Sequence, residues 1–267
     1  MRGRATIVAL YVGVALCGVS SVVGGDEGGD RPRPFEVAIG DSVDWFNDGR
    51  DVWHEARGSF RYRTGRGPVI GRFSHADRFS LSDNQLELEW YPSIRPGTYG
   101  YLEIGASPEH SLYPQLRYAA DLYQNLPRAF DVSLGFRQLW FSSRVDILTA
   151  MVGKYLGNWY LFTRLYVVPG WPDLSGSLHF TARWYFLDGK GWLGARYAHG
   201  LSSEALRDSL RGQYDVSLLS SDTVALDCEA LIHGWRLGAL ASFAREARTN
   251  RDDLLQLSAT ATLGYQF

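Results

Sequence analysis

The sequence predicts an all-β fold: a transmembrane antiparallel up-and-down β-barrel of about fourteen strands, with twelve as the alternative count. Three observations predict it. Apolar and polar residues alternate with period two from Phe35 onward, which is the mark of strands with two unlike faces. The polar face carries arginines and carboxylates in mid-strand, which suits a wet interior better than a dry core. The last strand alternates without a break up to a terminal phenylalanine.

The elements follow in chain order. Residues 1–25 read as a secretory signal peptide, with Arg2 and Arg4 ahead of the apolar stretch Ala5–Val19 and small residues at Ser20, Ser21, Gly24 and Gly25. Cys17 follows Leu16 where a lipidation site wants a small residue, so lipidation is disfavoured. Cleavage would leave Cys228 without a disulfide partner. Residues 26–34 form a short leader rich in Asp, Gly, Arg and Pro, and 35–267 form the barrel. No later stretch reaches the roughly twenty apolar residues of a spanning helix.

Apolar stripes run through Phe35, Val37, Ile39, Val43 and Trp45, then Leu86, Leu88 and Trp90, then Leu116, Tyr118, Ala120 and Leu122. Val132, Leu134, Phe136 and Trp140 come next, followed by Val145, Ile147, Met151 and Tyr155. Further stripes start at Trp159, Leu178, Val224 and Trp235, and weaker runs lie near 54–63, 69–80, 98–107 and 190–201. Turn residues stand between them at Asn47-Asp48-Gly49, Pro92 to Gly97, Gly157-Asn158, Asp188-Gly189 and His233-Gly234. Helical periodicity is hinted at only in 202–211.

A soluble sandwich would also alternate, so the rest of the pattern decides. Arg72, Arg78, Arg117, Arg137, Arg164, Arg183, Arg196 and Arg236 share the polar faces with Glu87, Glu89, Asp121, Asp227 and Glu229. Trp45, Trp90, Trp140, Trp159, Trp192 and Trp235 lie near strand ends, where interfacial girdles place them. Leu255, Leu257, Ala259, Ala261, Leu263, Tyr265 and Phe267 share one face of the last strand. Leu263, Tyr265 and Phe267 are the expected membrane-insertion signal, read by the barrel-assembly machinery. With Phe267 at the periplasmic rim, parity puts 168–175, 201–221 and 245–253 outside, with 201–221 as a long external loop. The short connections near 155–157, 187–190 and 233–234 then face the periplasm.

The middle of the chain carries Tyr113-Pro114, Arg117, Asp121-Leu122-Tyr123-Gln124, Leu126-Pro127, Ser133-Leu134-Gly135 and Arg137. Gly153-Lys154-Tyr155, Gly157-Asn158, Arg183 and Tyr185-Phe186 follow. On these residues the chain resembles the YaiO family of outer-membrane β-barrels, most clearly over 110–190. The family usually has Glu where Asp121 stands, and the Trp159-Tyr160 pair is transposed. The resemblance implies an outer-membrane barrel of the Gram-negative envelope and no particular activity.

Candidate lumen-lining residues are Arg117, Asp121, Arg137, Tyr160, Arg164, Tyr166, Arg183 and Tyr185. Arginine offers planar donors to carboxylate or phosphate, and tyrosine rings stack on sugars, so polar or anionic solutes fit such a wall. Arginine–carboxylate pairs that merely brace the lumen fit it as well. Surface polysaccharide or an envelope protein at the external loops is a further candidate partner, with outer-membrane lipid around the barrel. A formal net charge of −2 disfavours nucleic acid. Ser177 and His179 share a strand face, the minimum for a lipid-acting hydrolase, but no acid or oxyanion site can be placed beside them. A histidine bonded to its neighbours accounts for that pair more simply. His75 with Asp77 is a weaker pairing, and no metal-ligand spacing or cofactor motif is present. The expectation is therefore a non-enzymatic barrel, a narrow pore or an envelope-associated scaffold, without metal or cofactor.

Overall fold

The computed structural model describes residues 33–169, 175–207, 214–248 and 252–267. The expected signal peptide (1–25) and nearly all of the expected leader (26–34) lie outside these residues. Fourteen long strands close into one antiparallel ring: β1 (Phe35–Phe46), β2 (Trp53–Thr64), β3 (Gly67–Arg78), β4 (Leu81–Trp90), β6 (Thr98–Ala106), β7 (Leu116–Leu126), β8 (Phe130–Trp140), β9 (Arg144–Leu156), β10 (Trp159–Val168), β11 (Ser175–Phe186), β12 (Gly191–Arg207), β13 (Tyr214–Ile232), β14 (Trp235–Glu246) and β15 (Leu254–Gln266). The short β5 (Ser93–Arg95) folds back on β6. Each long strand pairs with its sequence neighbour, and β1 closes on β15 from Glu36↔Gln266 to Phe46↔Gln256. Closure leaves no unpaired edge, which hydrocarbon would penalise. Among the described residues, no helix is long and apolar enough to cross a membrane.

Both chain ends of the ring meet at one rim, where the Phe35 amide donates to Phe267 O and the Phe267 amide to Phe35 O. At this terminal rim the connections are tight, including 157–158 and 233–234, where Gly157 and Gly234 take positive φ of 59° and 90°. The opposite rim carries 47–52 and 107–115. Within 201–221 the described residues 201–207 and 214–221 are strand rather than loop, and 202–207 is not helical. β12 continues to Arg207 and β13 resumes at Tyr214, with Leu201↔Ser220 through Arg207↔Tyr214 in register. Pairing satisfies backbone donors and acceptors that a loop would leave to water.

The outer face is apolar and exposed, with Leu134 71% accessible and Ile39, Leu86, Leu226 and Leu263 alongside it. Trp90, Trp159, Trp184, Trp235, Tyr265 and Phe267 girdle the terminal rim, and Trp45 and Trp140 the opposite one. Trp192 is the exception to the expected girdle: it turns inward beneath Arg183, 4.3 Å from ring centroid to guanidinium carbon. The stripe Val145, Ile147, Met151 and Tyr155 also belongs to the interior, because Leu148 and Val152 hold the outer face of β9. With apolar residues on both faces, β9 offers no contrast by which to orient it. Toward the opposite rim the outer face turns polar. Asp41–His54 (2.8 Å), His199–Asp222 (2.9 Å) and His75–Asp77 (3.4 Å) form pairs there, marking where the apolar band ends.

Candidate functional site

The interior of a fourteen-strand barrel lies between side-chain-filled small barrels and the open channels of large ones, so its contents decide its use. Three arcs divide it. On β2–β7, acids and arginines interleave. Glu55 meets Arg57 and Arg78, both at 2.6 Å. Glu89 meets Arg72 at 2.9 Å, and Arg117 spans Glu87 (3.0 Å) and Glu103 (2.5 Å). At the terminal rim Arg236 joins Glu36 (2.9 Å) and Glu229.

Across β6–β11, nearer the terminal rim, aromatic rings fill the interior. Tyr99 stacks on Tyr123 with centroids 4.7 Å apart, and Tyr155 on Tyr160 at 4.3 Å. Met151 and Phe162 are buried among them. Carboxylates thread this packing only where the facing strand lacks a side chain. Asp121 lies across Gly135 to accept from Thr149 Oγ1 at 2.8 Å, and Arg137 Nη2 reaches it at 3.5 Å. A Cβ at Gly135 would overlap that carboxylate. Asp131 crosses Gly153 in the same way to accept from the Tyr160 hydroxyl at 2.8 Å.

On β14, β15 and β1, beyond the Arg236–Glu36 cluster at the terminal rim, most mid-strand inner residues are small and uncharged, among them Gly238, Ser242, Ser258, Thr260, Gly40 and Ser42. They are part-exposed, whereas Asp121, Tyr123, Arg164 and Thr149 opposite are buried. The more accessible part of the inner surface therefore lies to one side, along the small-residue wall.

One connection narrows the opposite mouth. Asp83 on β4, fully buried, accepts from Ser107 Oγ (2.6 Å) and from the amides of Leu112 (2.7 Å) and Tyr113 (2.8 Å). This holds 107–115 against the inner faces of β2–β4. Burial, with the adjacent Glu55 carboxylate second, pushes the Tyr113 phenol above its ordinary pKa. Asp48 and Arg50 hold the neighbouring connection (2.8 Å), and Arg248 reaches Asp48 at 3.2 Å. The Arg50 hydrogen bond, before any other cause, holds the Asp48 carboxyl below its usual range.

The sequence-derived candidates fall as follows. Arg117, Asp121, Arg137, Tyr160, Arg164, Tyr166, Arg183 and Tyr185 all lie on inner faces. Asp121 and Arg137 come together, while Arg117 belongs to the separate ladder on β4–β7. Tyr160 serves Asp131, and Arg164 Nη2 donates to the Tyr123 hydroxyl at 2.8 Å. Leu263, Tyr265 and Phe267 point outward. Sequence reasoning missed Asp83, whose role depends on a connection reaching it across 24 residues or more. Tyr113-Pro114 in that connection was the one signal available. Ser177 Oγ lies 3.1 Å from His179 Nε2. His179 Nδ1 has no hydrogen-bond partner among the described residues, so no acid orients the ring. A groove of about 620 Å³ bordered by Leu161, Phe180, Ala182 and Tyr197 lies on the outer wall, where hydrocarbon rather than solute would fill it.

A closed antiparallel ring with an apolar belt, aromatic girdles and a charged interior defines the class: the protein is a β-barrel of the Gram-negative outer membrane. The YaiO membrane beta barrel domain matches residues 35–205. The chain belongs to that family. No curated protein is detectably similar in sequence. Among solved structures, the chain resembles the CymD monoaromatic hydrocarbon channel at a TM-score of 0.55 and 6% identity, covering 88% of this chain and 89% of that one. A bacterial polysaccharide outer membrane secretin gives 0.54 at 9% identity, covering 89% and 100%. An outer membrane channel from Pseudomonas putida F1 gives 0.53 at 11% identity, covering 92% and 100%. At such identities the likeness is one of fold.

Proposed function

We propose that this protein is a narrow, non-enzymatic pore for small polar solutes, with the rim of Phe35 and Phe267 facing the periplasm. One observation carries the reading. The part-exposed inner wall of β14, β15 and β1 faces charged and aromatic arcs, under a connection that Asp83 ties across the opposite mouth. Such a passage is wet, off-centre and constricted at one end, which favours slow permeation of small solutes over bulk flow. Reconstitution in planar bilayers should give small, discrete conductance steps. Asp83→Ala, which releases 107–115, should enlarge them. Electrical silence of folded wild-type and Asp83→Ala barrels would sink the reading.

Other partners fit the same orientation. Outer-membrane lipid surrounds the apolar belt, and Leu263, Tyr265 and Phe267 face it as an insertion signal for the barrel-assembly machinery. Surface polysaccharide would meet the opposite rim. The Ser177–His179 contact is the one observation favouring a lipid-acting enzyme. Loss of a lipid-hydrolysis activity on Ser177→Ala would be required before that reading replaced the pore.

A further inference from the structure

We infer that the barrel binds an oxyanion, the carboxylate or phosphate of a small solute, between Arg183 and Arg196 on the inner face of β11 and β12. This deepens the pore reading and rests on it for the anion's route. Arg183 is 3% exposed. Two rings lie against it, Trp192 at 4.3 Å and Phe162 at 5.8 Å from the guanidinium carbon; Asp227 acts on it from beyond ion-pair distance, and its Nε has no hydrogen-bond partner among the described residues. Rings attract a guanidinium through their faces; they leave its in-plane N–H donors unused.

The register supplies the remaining donors. Arg183 stands opposite Gly194 and Thr181 opposite Arg196, so Arg196 is the diagonal neighbour of Arg183. The Thr181 hydroxyl is buried and unpartnered, as is Arg196 Nε. Asp227 leans over Gly194, where a Cβ would press on it, but reaches only Arg196 Nη2, at 3.7 Å. One carboxylate thus faces two guanidiniums. Arg164 on β10 adds a third, bonded to the Tyr123 hydroxyl rather than to an acid.

The same lumen shows what bracing looks like: Arg57, Arg72, Arg78 and Arg117 each have a carboxylate oxygen within 3.0 Å. Arg183 departs from that pattern. A buried guanidinium that shares Asp227 with Arg196, and has no carboxylate within ion-pair distance among the described residues, is under-compensated, whereas its planar donors fit an oxyanion edge-on. Trp192 and Tyr185, register partners on the same inner face, offer flat surfaces for a sugar ring carrying that anion.

The test uses full-length barrel refolded in detergent, with heat-modifiable mobility as the check on folding. Calorimetric titration with inorganic phosphate, glucose 1-phosphate, glucuronate and glucose separates phosphate from carboxylate and both from a neutral sugar. At least one anion should bind and glucose should not. Arg183→Gln and Arg196→Gln should weaken binding about tenfold or more, while Arg236→Gln, in its own Glu36–Glu229 cluster, should not. Melting adds a readout that bracing alone would not produce: the bound anion should raise the wild-type Tm but not that of Arg183→Gln. If Arg183→Gln does not fold, Thr181→Val serves instead and should weaken binding with every charge retained. No anion binding by folded wild type, or binding indifferent to these changes, overturns the site. Conductance then separates the two readings: steps without anion binding remove the site and leave the pore, and binding without steps does the reverse.

Discussion

At the residue scale, the interior depends on absences as much as on side chains. Gly135 and Gly153 have no strain to relieve; they sit in extended strands beneath Asp121 and Asp131. Gly135→Ala should displace the Asp121 carboxylate from Thr149 and Arg137 and leave buried polar groups unpaired, at a cost of roughly 1–3 kcal/mol. Urea unfolding in detergent would measure it, and an unchanged midpoint would refute the account. Asp48 gives a pH dependence of known sign. Its carboxyl is held below its usual range by Arg50, so the contribution is fully present above the unfolded pKa of about 4 and is lost as pH falls further. Cleavage within 47–52 by an acid-active protease should rise below that pH in wild type. Asp48→Asn should be cleaved equally at all pH values tested.

At the element scale, each strand is sorted by the contrast between its faces. β8 carries Leu134, 71% accessible, on the outside and Ser133 and Arg137 on the inside. An arginine at position 134 would meet hydrocarbon, and Leu134→Arg should destabilise the barrel by about 2–4 kcal/mol if it lies at the bilayer midplane. The same change at Ser258, part-exposed on the inner wall of β15, should cost less. Comparing the two by denaturant titration in vesicles tests the orientation of β8, and equal losses would contradict it. The turn from β3 to β4 shows where sequence signals end. Phe79 and Ser80 both take left-handed φ, 54° and 58°, with neither Gly nor Asn to announce it. The weak run near 69–80 therefore merged a strand with its turn.

At the scale of the whole molecule, closure turns fourteen strands, marginal as separate hairpins, into one object. No strand has a free edge, so partial unfolding exposes backbone to lipid and the barrel should melt as a unit. Unboiled protein should migrate apart from boiled protein in detergent gels. Cys228 faces outward and is free, so a fluorophore attached there should be quenched by lipid-borne quenchers in vesicles. Absence of quenching in folded protein would place the belt elsewhere than against hydrocarbon. Phe267→Ser should lower the fraction of chain that becomes heat-modifiable in cells without altering the stability of the refolded barrel, if Phe267 acts in recognition by the assembly machinery.

Period-two patterning by itself determined the strand architecture, a count of about fourteen with twelve left open, and most of the outward stripes, because lipid on one side and water on the other impose an alternation that each strand repeats independently of its neighbours. It failed at β9, apolar on both faces, and at Trp192, where an aromatic near a strand end turned inward to cover a guanidinium. Between Leu201 and Ser221 it read polar residues as a loop, although backbone pairing extends both strands. Only the tertiary structure decided which arginines are braced and which have no carboxylate within ion-pair distance. That depends on diagonal neighbours across the register, such as Arg183, Thr181 and Arg196, and on a connection reaching Asp83 from the far side of a hairpin. Contacts of that kind are set by closure of the ring, and no single strand contains them.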